Sequence, residues 1–399
     1  MKLRSLLTYI TLFVIGLTIT VSCTNPATYI TTTTDTASSS AGASADAASL
    51  GYSAWPGWFP WQVAREQNIF EANKASVALK WFDGYLESIN TLTAQQIDAN
   101  SQTLNDTLSA VSGGADQVVV LVNDNSTGND KIIVREGINS IADLKGKKVA
   151  AEEGTVDHFL LLLGMEKAGL TPKDIQFVPL ETGQAAAAFV AGQVDAVGVL
   201  APFTTQALKR PGSKELFSSK DFPGAIPDHL VVTRQFLEEH PEQVQAMVDS
   251  WFATLDYMKA NKDLATEIMA RRAGVSVDEY KEYEKGTRIF TIEENLKAFQ
   301  PGNDMNSLMF AAGEMTKFLE KVGLAQQKPD ISKLFDDRFV KAYAEKLREQ
   351  GEQGKQGSHS RAVRKRAAGG ERGAYGVVSR AQATGDCPLG GSPEEREVA

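Results

Sequence analysis

Between residues 50 and 349 the chain alternates short apolar runs with amphipathic helical stretches, and this alternation restricts its folds more than any other feature. Such a pattern marks an α/β fold with largely parallel sheets. The runs predict strands near 50–55, 77–82, 98–102, 117–123, 131–135, 147–151, 175–180, 195–200 and 229–233. Between and after them, helices are predicted near 60–70, 84–95, 104–112, 155–168, 183–192, 202–209, 234–261, 262–273, 276–284, 291–300, 304–322 and 336–349. The stretch PEQVQAMVDSWFATLDYMKAN is strongly amphipathic, with Pro241 suited to a first helical turn and Trp251, Phe252, Leu255 and Met258 on a core-facing stripe.

A chain of 399 residues, 42% hydrophobic and 23% charged, can bury a sizeable core in about two domain-sized units. Its formal net charge of -9 argues against nucleic acid as a partner, because a negative surface repels the phosphate backbone.

The N-terminus reads as an export signal. Lys2 and Arg4 precede the apolar LLTYITLFVIGLTITV, which stops at Ser22-Cys23. TVSC resembles a bacterial lipobox with Thr20 where Leu is usual, so Cys23 is the candidate lipidation site; an ordinary cleaved signal is the alternative. Cys23 is the only cysteine before position 387, which rules out a disulfide framework in the folded part. Residues 24–49, rich in Thr, Ser and Ala, have nothing to build a core from and read as a disordered tether. An anchor with a flexible spacer holds a domain at the outer face of a membrane, or in a periplasm, while leaving it free to turn.

Two segments look alike. TAQQIDAN (93–100) and VAGQVDAV (190–197) each lead from a helix end into a strand, by chance or as equivalent turns of two similar lobes, with Asp98 and Asp195 in structural positions. His158, His229 and His240 lack metal-ligand spacing, and neither a Gly-rich phosphate loop nor a Gly-x-Ser-x-Gly elbow occurs. No cofactor is implied, and a binding role is expected rather than catalysis.

The run from Trp55 to about Ala344 resembles the substrate-binding proteins of ABC importers in the NMT1-like family that serves nitrate, taurine, alkanesulfonates and thiamine-precursor pyrimidines. The motifs that carry the resemblance are SIADLKGKKVAAEEGT (140–155), AGQVDAVGVLAPF (191–203) and DHLVVTRQFLEEHPEQV (228–244). It implies a type II periplasmic-binding-protein fold, two α/β lobes joined by a two-strand hinge and closing on a ligand. Lobe one would be residues 50–134 with 232–349, and lobe two 135–231. It also implies a small-molecule ligand, an ABC permease with its ATPase as partners, and action as a monomer. A pyrimidine-precursor synthase shares the fold but uses a Cys-rich motif, and no cysteine lies between 24 and 386 here.

In open α/β sheets ligands sit beyond the carboxyl ends of the strands. On that rule the loop WPGW lines the cleft, with Pro56 and Gly57 turning the chain so that Trp55 and Trp58 form rigid walls; Trp61 falls on the following helix as a hydrophobic staple. The other strand ends nominate Asp83, the stretch Gln102, Thr103, Asn105 and Asp106, then Glu153, Thr155 and Asp157, and finally Phe203, Asp228 and His229. Asn105, Asp106 and Thr155 serve equally well as helix caps.

An anionic ligand wants helix N-termini with Arg, Lys or His. The nominated loops hold no Arg or Lys; they hold Asp83, Asp106, Glu152, Glu153, Asp157 and Asp228. Carboxylates beside tryptophans suit a small cation or donor-rich amide. GYSAWPGWFPW, KWFDGY, NSQTLNDT and AAEEGTVDHFLL look like the subset associated with urea carboxylase, for which guanidine is the implied cargo. An anion such as nitrate, taurine or an alkanesulfonate is the alternative. Residues 350–399, rich in Gly, Arg and Ser, resemble nothing in the family and read as a disordered tail or a frameshifted end.

Overall fold

A computed structural model describes residues 47–352. The signal, Cys23, most of the tether and the tail from 353 onward lie outside the described residues.

Two sheets form the frame. The first contains β1 (Ala48–Tyr52), β2 (Val77–Trp81), β3 (Ala99–Thr103), β4 (Gln117–Ser126), β10 (Pro227–Thr233) and β11 (Thr287–Ile289), in the order β11-β4-β10-β3-β1-β2. The second contains β5 (Asp130–Val134), β6 (Lys148–Ala151), β7 (Gln176–Pro179), β8 (Ala196–Leu200) and β9 (Lys214–Ser218), in the order β7-β6-β8-β5-β9. β1 is parallel to β2 and β3, and β6 is parallel to β7 and β8. By contrast, β10 runs antiparallel between β3 and β4, and β5 antiparallel between β8 and β9.

Both chain crossings lie beside antiparallel strands, through 127–129 on the way out and 219–226 on the way back. This moves the expected lobe boundaries. β5, assigned to lobe one from sequence, pairs in the second sheet, and the start of β10, assigned to lobe two, pairs in the first. Strands β9 and β11 had no apolar run to announce them: KELFS is half polar and TRI is three residues long.

The first sheet is sealed by aromatic packing. Trp61 is fully buried against Trp251, with ring centroids 4.7 Å apart, and its indole donates to Ser101 Oγ at 2.9 Å. The single helix expected over 234–261 is two, Arg234–Glu239 and Pro241–Ala260, because the residue before a proline is driven from helical backbone and Pro241 has no N–H to continue the ladder. Across the gap between the sheets, the helix Val156–Lys167 meets the helix Leu308–Val322, where Phe159 and Phe318 lie edge to face at 5.5 Å and Glu166 pairs with Lys321.

Candidate functional site

β4 explains where the site is. Its sequence QVVVLVNDNS is buried from end to end, as a central strand with both faces covered must be, yet its last residues are polar. The antiparallel partner β10 opens with PDH, so the register sets Asp228 against Asp124 and, on its other side, against Thr103 of β3. Three strands therefore bring their polar ends to one place, facing the second sheet.

The WPGW turn closes over them. Trp58 donates its backbone N–H to Trp55 O at 3.0 Å, and the Trp55 indole donates to Asp124 Oδ1 at 2.9 Å. Gly57 allows this close approach, since a Cβ there would stand 1.9 Å from Asp124 Oδ2 and force the turn or the carboxyl to shift. Trp58 leans on Tyr85 with centroids 5.2 Å apart, and its buried indole nitrogen has no hydrogen-bond partner. Both tryptophans are thus buried beside the polar strand ends, at 2% exposure each.

Asp106, Asp124, Asp130, Asp157 and Asp228 are each at most 2% exposed, and Glu152 is 5% exposed. None forms an ion pair among the described residues. Burial is the first cause that raises all of them, because low dielectric disfavours the charged form. Asp106 and Asp130 are pushed up to about 7 and Asp124 to about 8. Asp157 and Asp228 are driven well above the usual range by burial and then by neighbouring carboxylates. Thr182 Oγ1 lies 2.9 Å from both Glu152 Oε2 and Asp157 Oδ2. One hydroxyl hydrogen serves one acceptor, so a protonated carboxyl meets the other contact.

The two halves touch through these acids. Glu152, at the end of β6, accepts the backbone N–H of Leu86 at 3.3 Å. Asp106 stands near the start of the helix Val156–Lys167, where the backbone N–H of Val156 draws its carboxyl down against the larger effect of burial. Asp106 also accepts from Thr103 Oγ1 and from Asn105 Nδ2, each at 2.7 Å, while Thr103 caps its helix.

Several nominated residues stand elsewhere. Asp83 is exposed and already accepts the Trp81 indole at 2.7 Å; it belongs to an outer mouth of about 720 Å³ shared with Glu87, Glu152, Glu181 and Gln184. Glu153 is exposed, and its neighbour Glu152 is the buried one, since the turn after β6 sends successive side chains to opposite sides. Gln102 is spent on its own half of the molecule, donating to Thr107 Oγ1 of the helix Leu104–Ser112 and to Gln117 Oε1 of β4. Thr155 is buried and donates to Glu152 O at 3.0 Å rather than capping its helix. Phe203 is half-buried and packs against the hydrophobic core. His229 is fully buried without a partner, and burial drives it down to about 3, so it is a neutral core imidazole. His158 stacks on Phe177 at 4.3 Å.

Asp124, Asp130, Tyr85 and Thr182 escaped the sequence reading. The available signal was NDNS: polar residues that extend an apolar central strand past its core.

The sequence model of the NMT1-like family matches residues 41–273. A binding protein of Brucella abortus is 31% identical over 183 residues, covering 45% of this chain and 57% of that one, so the chain spans little more than half the length of this relative. A Bacillus subtilis protein named aliphatic sulfonates-binding protein is 24% identical over 74% of this chain and 87% of its own. The periplasmic aliphatic sulphonate binding protein of Escherichia coli superposes with a TM-score of 0.61 at 23% identity, over 74% of this chain and 93% of that one. The desulfurization enzyme DSZB also carries the fold, with a TM-score of 0.55 at 16% identity over 75% of this chain and 99% of that one. The chain therefore has the type II periplasmic-binding-protein fold.

Proposed function

The chain belongs to the NMT1-like family, and we propose that it is the solute-binding protein of an ABC importer. On this reading it captures a small molecule between two α/β lobes outside the cytoplasm and passes it to a permease and its ATPase. The lobes are residues 47–126 with 227–352, and residues 130–218. The observation that carries the reading is the inward-facing set of Trp55, Trp58, Asp106, Asp124, Asp157 and Asp228 at the sheet ends between the lobes. It holds recognition groups, two buried indoles and four buried carboxyls.

The ligand has two readings. The Bacillus subtilis relative is named for aliphatic sulfonates, which backs an anion such as a sulfonate, taurine or nitrate over the guanidine-like cation or amide. The cleft favours the opposite sign: its buried charge-bearing groups are carboxyls, and its aromatic walls suit a planar donor. Attachment to the outer face of a membrane through Cys23 is part of the same proposal.

Thermal melts of the purified protein with taurine, ethanesulfonate, nitrate, urea and guanidinium, each followed by recovery of the compound, test the role. A raised Tm with the compound returned unchanged supports it, because a ligand that binds only the folded state stabilises it by mass action. Chemical conversion of any compound overturns it.

A further inference from the structure

We propose that Asp124 and Asp228 form a proton-exchanging carboxyl pair that receives the positively charged end of the ligand, a nitrogen group with several N–H donors. This deepens the importer reading and rests on it.

Geometry carries the proposal. The two residues face each other across adjacent antiparallel strands, in register as Asp228 against Asp124. Each keeps a buried oxygen, Oδ2, without a partner, and Asp157 of the other half keeps its Oδ1 likewise. The Trp55 indole holds Asp124 in place from one side. In the same wall, the unpartnered indole nitrogen of Trp58 is a group of a different kind left for a ligand acceptor or π-contact.

The surrounding groups on every packed element leave the pair no counter-charge. Asp106 comes from the helix Leu104–Ser112, Asp130 from β5, Asp157 from the helix Val156–Lys167, Tyr85 from the helix Tyr85–Thr93 and Tyr280 from the helix Val277–Lys285. His229, next along β10, is neutral, and Lys131 acts on Asp130 and pairs with Glu215. Two adjacent buried carboxyls cannot both ionise without a cation, so the pair keeps at least one proton. A cationic ligand supplies that charge: the proton leaves to solvent, both carboxylates accept ligand N–H groups, and the charge of the site is conserved. An anion would add to the charge that forces the proton to stay.

Calorimetric titration with guanidinium, methylguanidinium and agmatine, in buffers of different ionisation enthalpy near pH 6 and pH 8, reads both affinity and proton release. The expected result is binding of at least one cation with proton release near pH 6, and affinity that rises up to about tenfold per pH unit for each proton released. Asp228→Asn, shown folded by its melt, is expected to weaken binding by roughly 10- to 100-fold and to remove the buffer dependence of the heat. Cation binding with no buffer-dependent heat in the wild type overturns the pair's role, and so does the absence of binding by all three cations. Binding of taurine or ethanesulfonate instead overturns it while leaving the importer reading standing; turnover of a probe overturns the importer reading itself.

Discussion

The Trp55 indole donates to Asp124 across 69 residues of sequence, and the turn that presents the indole is packed against the same carboxyl group through Gly57. The aromatic wall and the acid behind it are therefore one unit: whatever displaces Asp124 displaces Trp55.

Gly57→Ala tests this unit. Its Cβ would collide with Asp124 Oδ2 at 1.9 Å, so either the turn or the carboxyl must shift. Overpacking of this kind costs about 1–3 kcal/mol. Urea unfolding is expected to show the lowered midpoint, and calorimetry a weakened ligand. A midpoint equal to that of the wild type contradicts the close approach.

Stability without ligand should fall as pH rises from about 4 to 8. Asp106 and Asp130 titrate near 7 when folded but near the ordinary 3.8 when unfolded. Between those values these two acids and Asp124, raised to about 8, bind more protons folded than unfolded. His158 and His229, lowered to about 4 and about 3, oppose them only up to the ordinary 6.5. Each pH unit therefore favours the unfolded chain, most steeply above 6.5, and the loss levels off above the folded values. Tm measured across this range checks the sign; a Tm that climbs steadily to pH 8 goes against it.

Asp83 and Asp157 exchange the importance that their positions in the sequence suggest. Asp83→Asn alters an exposed group at the mouth and is expected to change mainly the association rate and its salt dependence. Asp157→Asn, buried with one unpartnered oxygen, is expected to lower ligand affinity by about 2–4 kcal/mol. Stopped-flow and equilibrium titration of the two variants side by side decide this, and equal losses of affinity would refute it.

Asp106→Ala removes the carboxyl that stands near the Val156 N–H and leaves Thr103 and Asn105 without their buried partner. Unsatisfied buried groups cost about 1–3 kcal/mol, and part of that loss falls on the contact between the halves. Small-angle scattering is expected to show a larger radius of gyration than in the wild type at equal ligand concentration. An unchanged radius contradicts a role for Asp106 in holding the halves together.

Cys23→Ser should move the protein from the membrane fraction to the soluble one while ligand binding is retained. Persistence in the membrane fraction rules out anchoring at Cys23.

The sequence made most of the frame legible because buried strands write themselves as apolar runs. VVVLV, KVAA and AVGVL predicted β4, β6 and β8, and the helices Leu104–Ser112 and Lys262–Ala273 lie where their periodicity placed them. The WPGW loop was legible for a local reason, since proline, glycine and two tryptophans can do little else at the end of a strand. Asp124 and Asp130 were not, because what gives them meaning is a register between strands a hundred residues apart. Asp83 misled because a carboxylate beside a tryptophan looks the same in sequence at the rim as at the centre. The choice of Glu153 over Glu152 failed because a turn decides which of two neighbours points inward.

Asp124, Asp130 and Asp228 stand within a few residues of the two chain crossings at 127–129 and 219–226, which on the proposed two-lobe reading would be the fulcrum. Points near a fulcrum travel least when the arms swing. The contact of Glu152 with Leu86 is made between the arms, so on that reading it would part as the arms separate. A molecule opened in this way would lose its clasp and keep its electrode, the facing acids of adjacent strands, assembled in water.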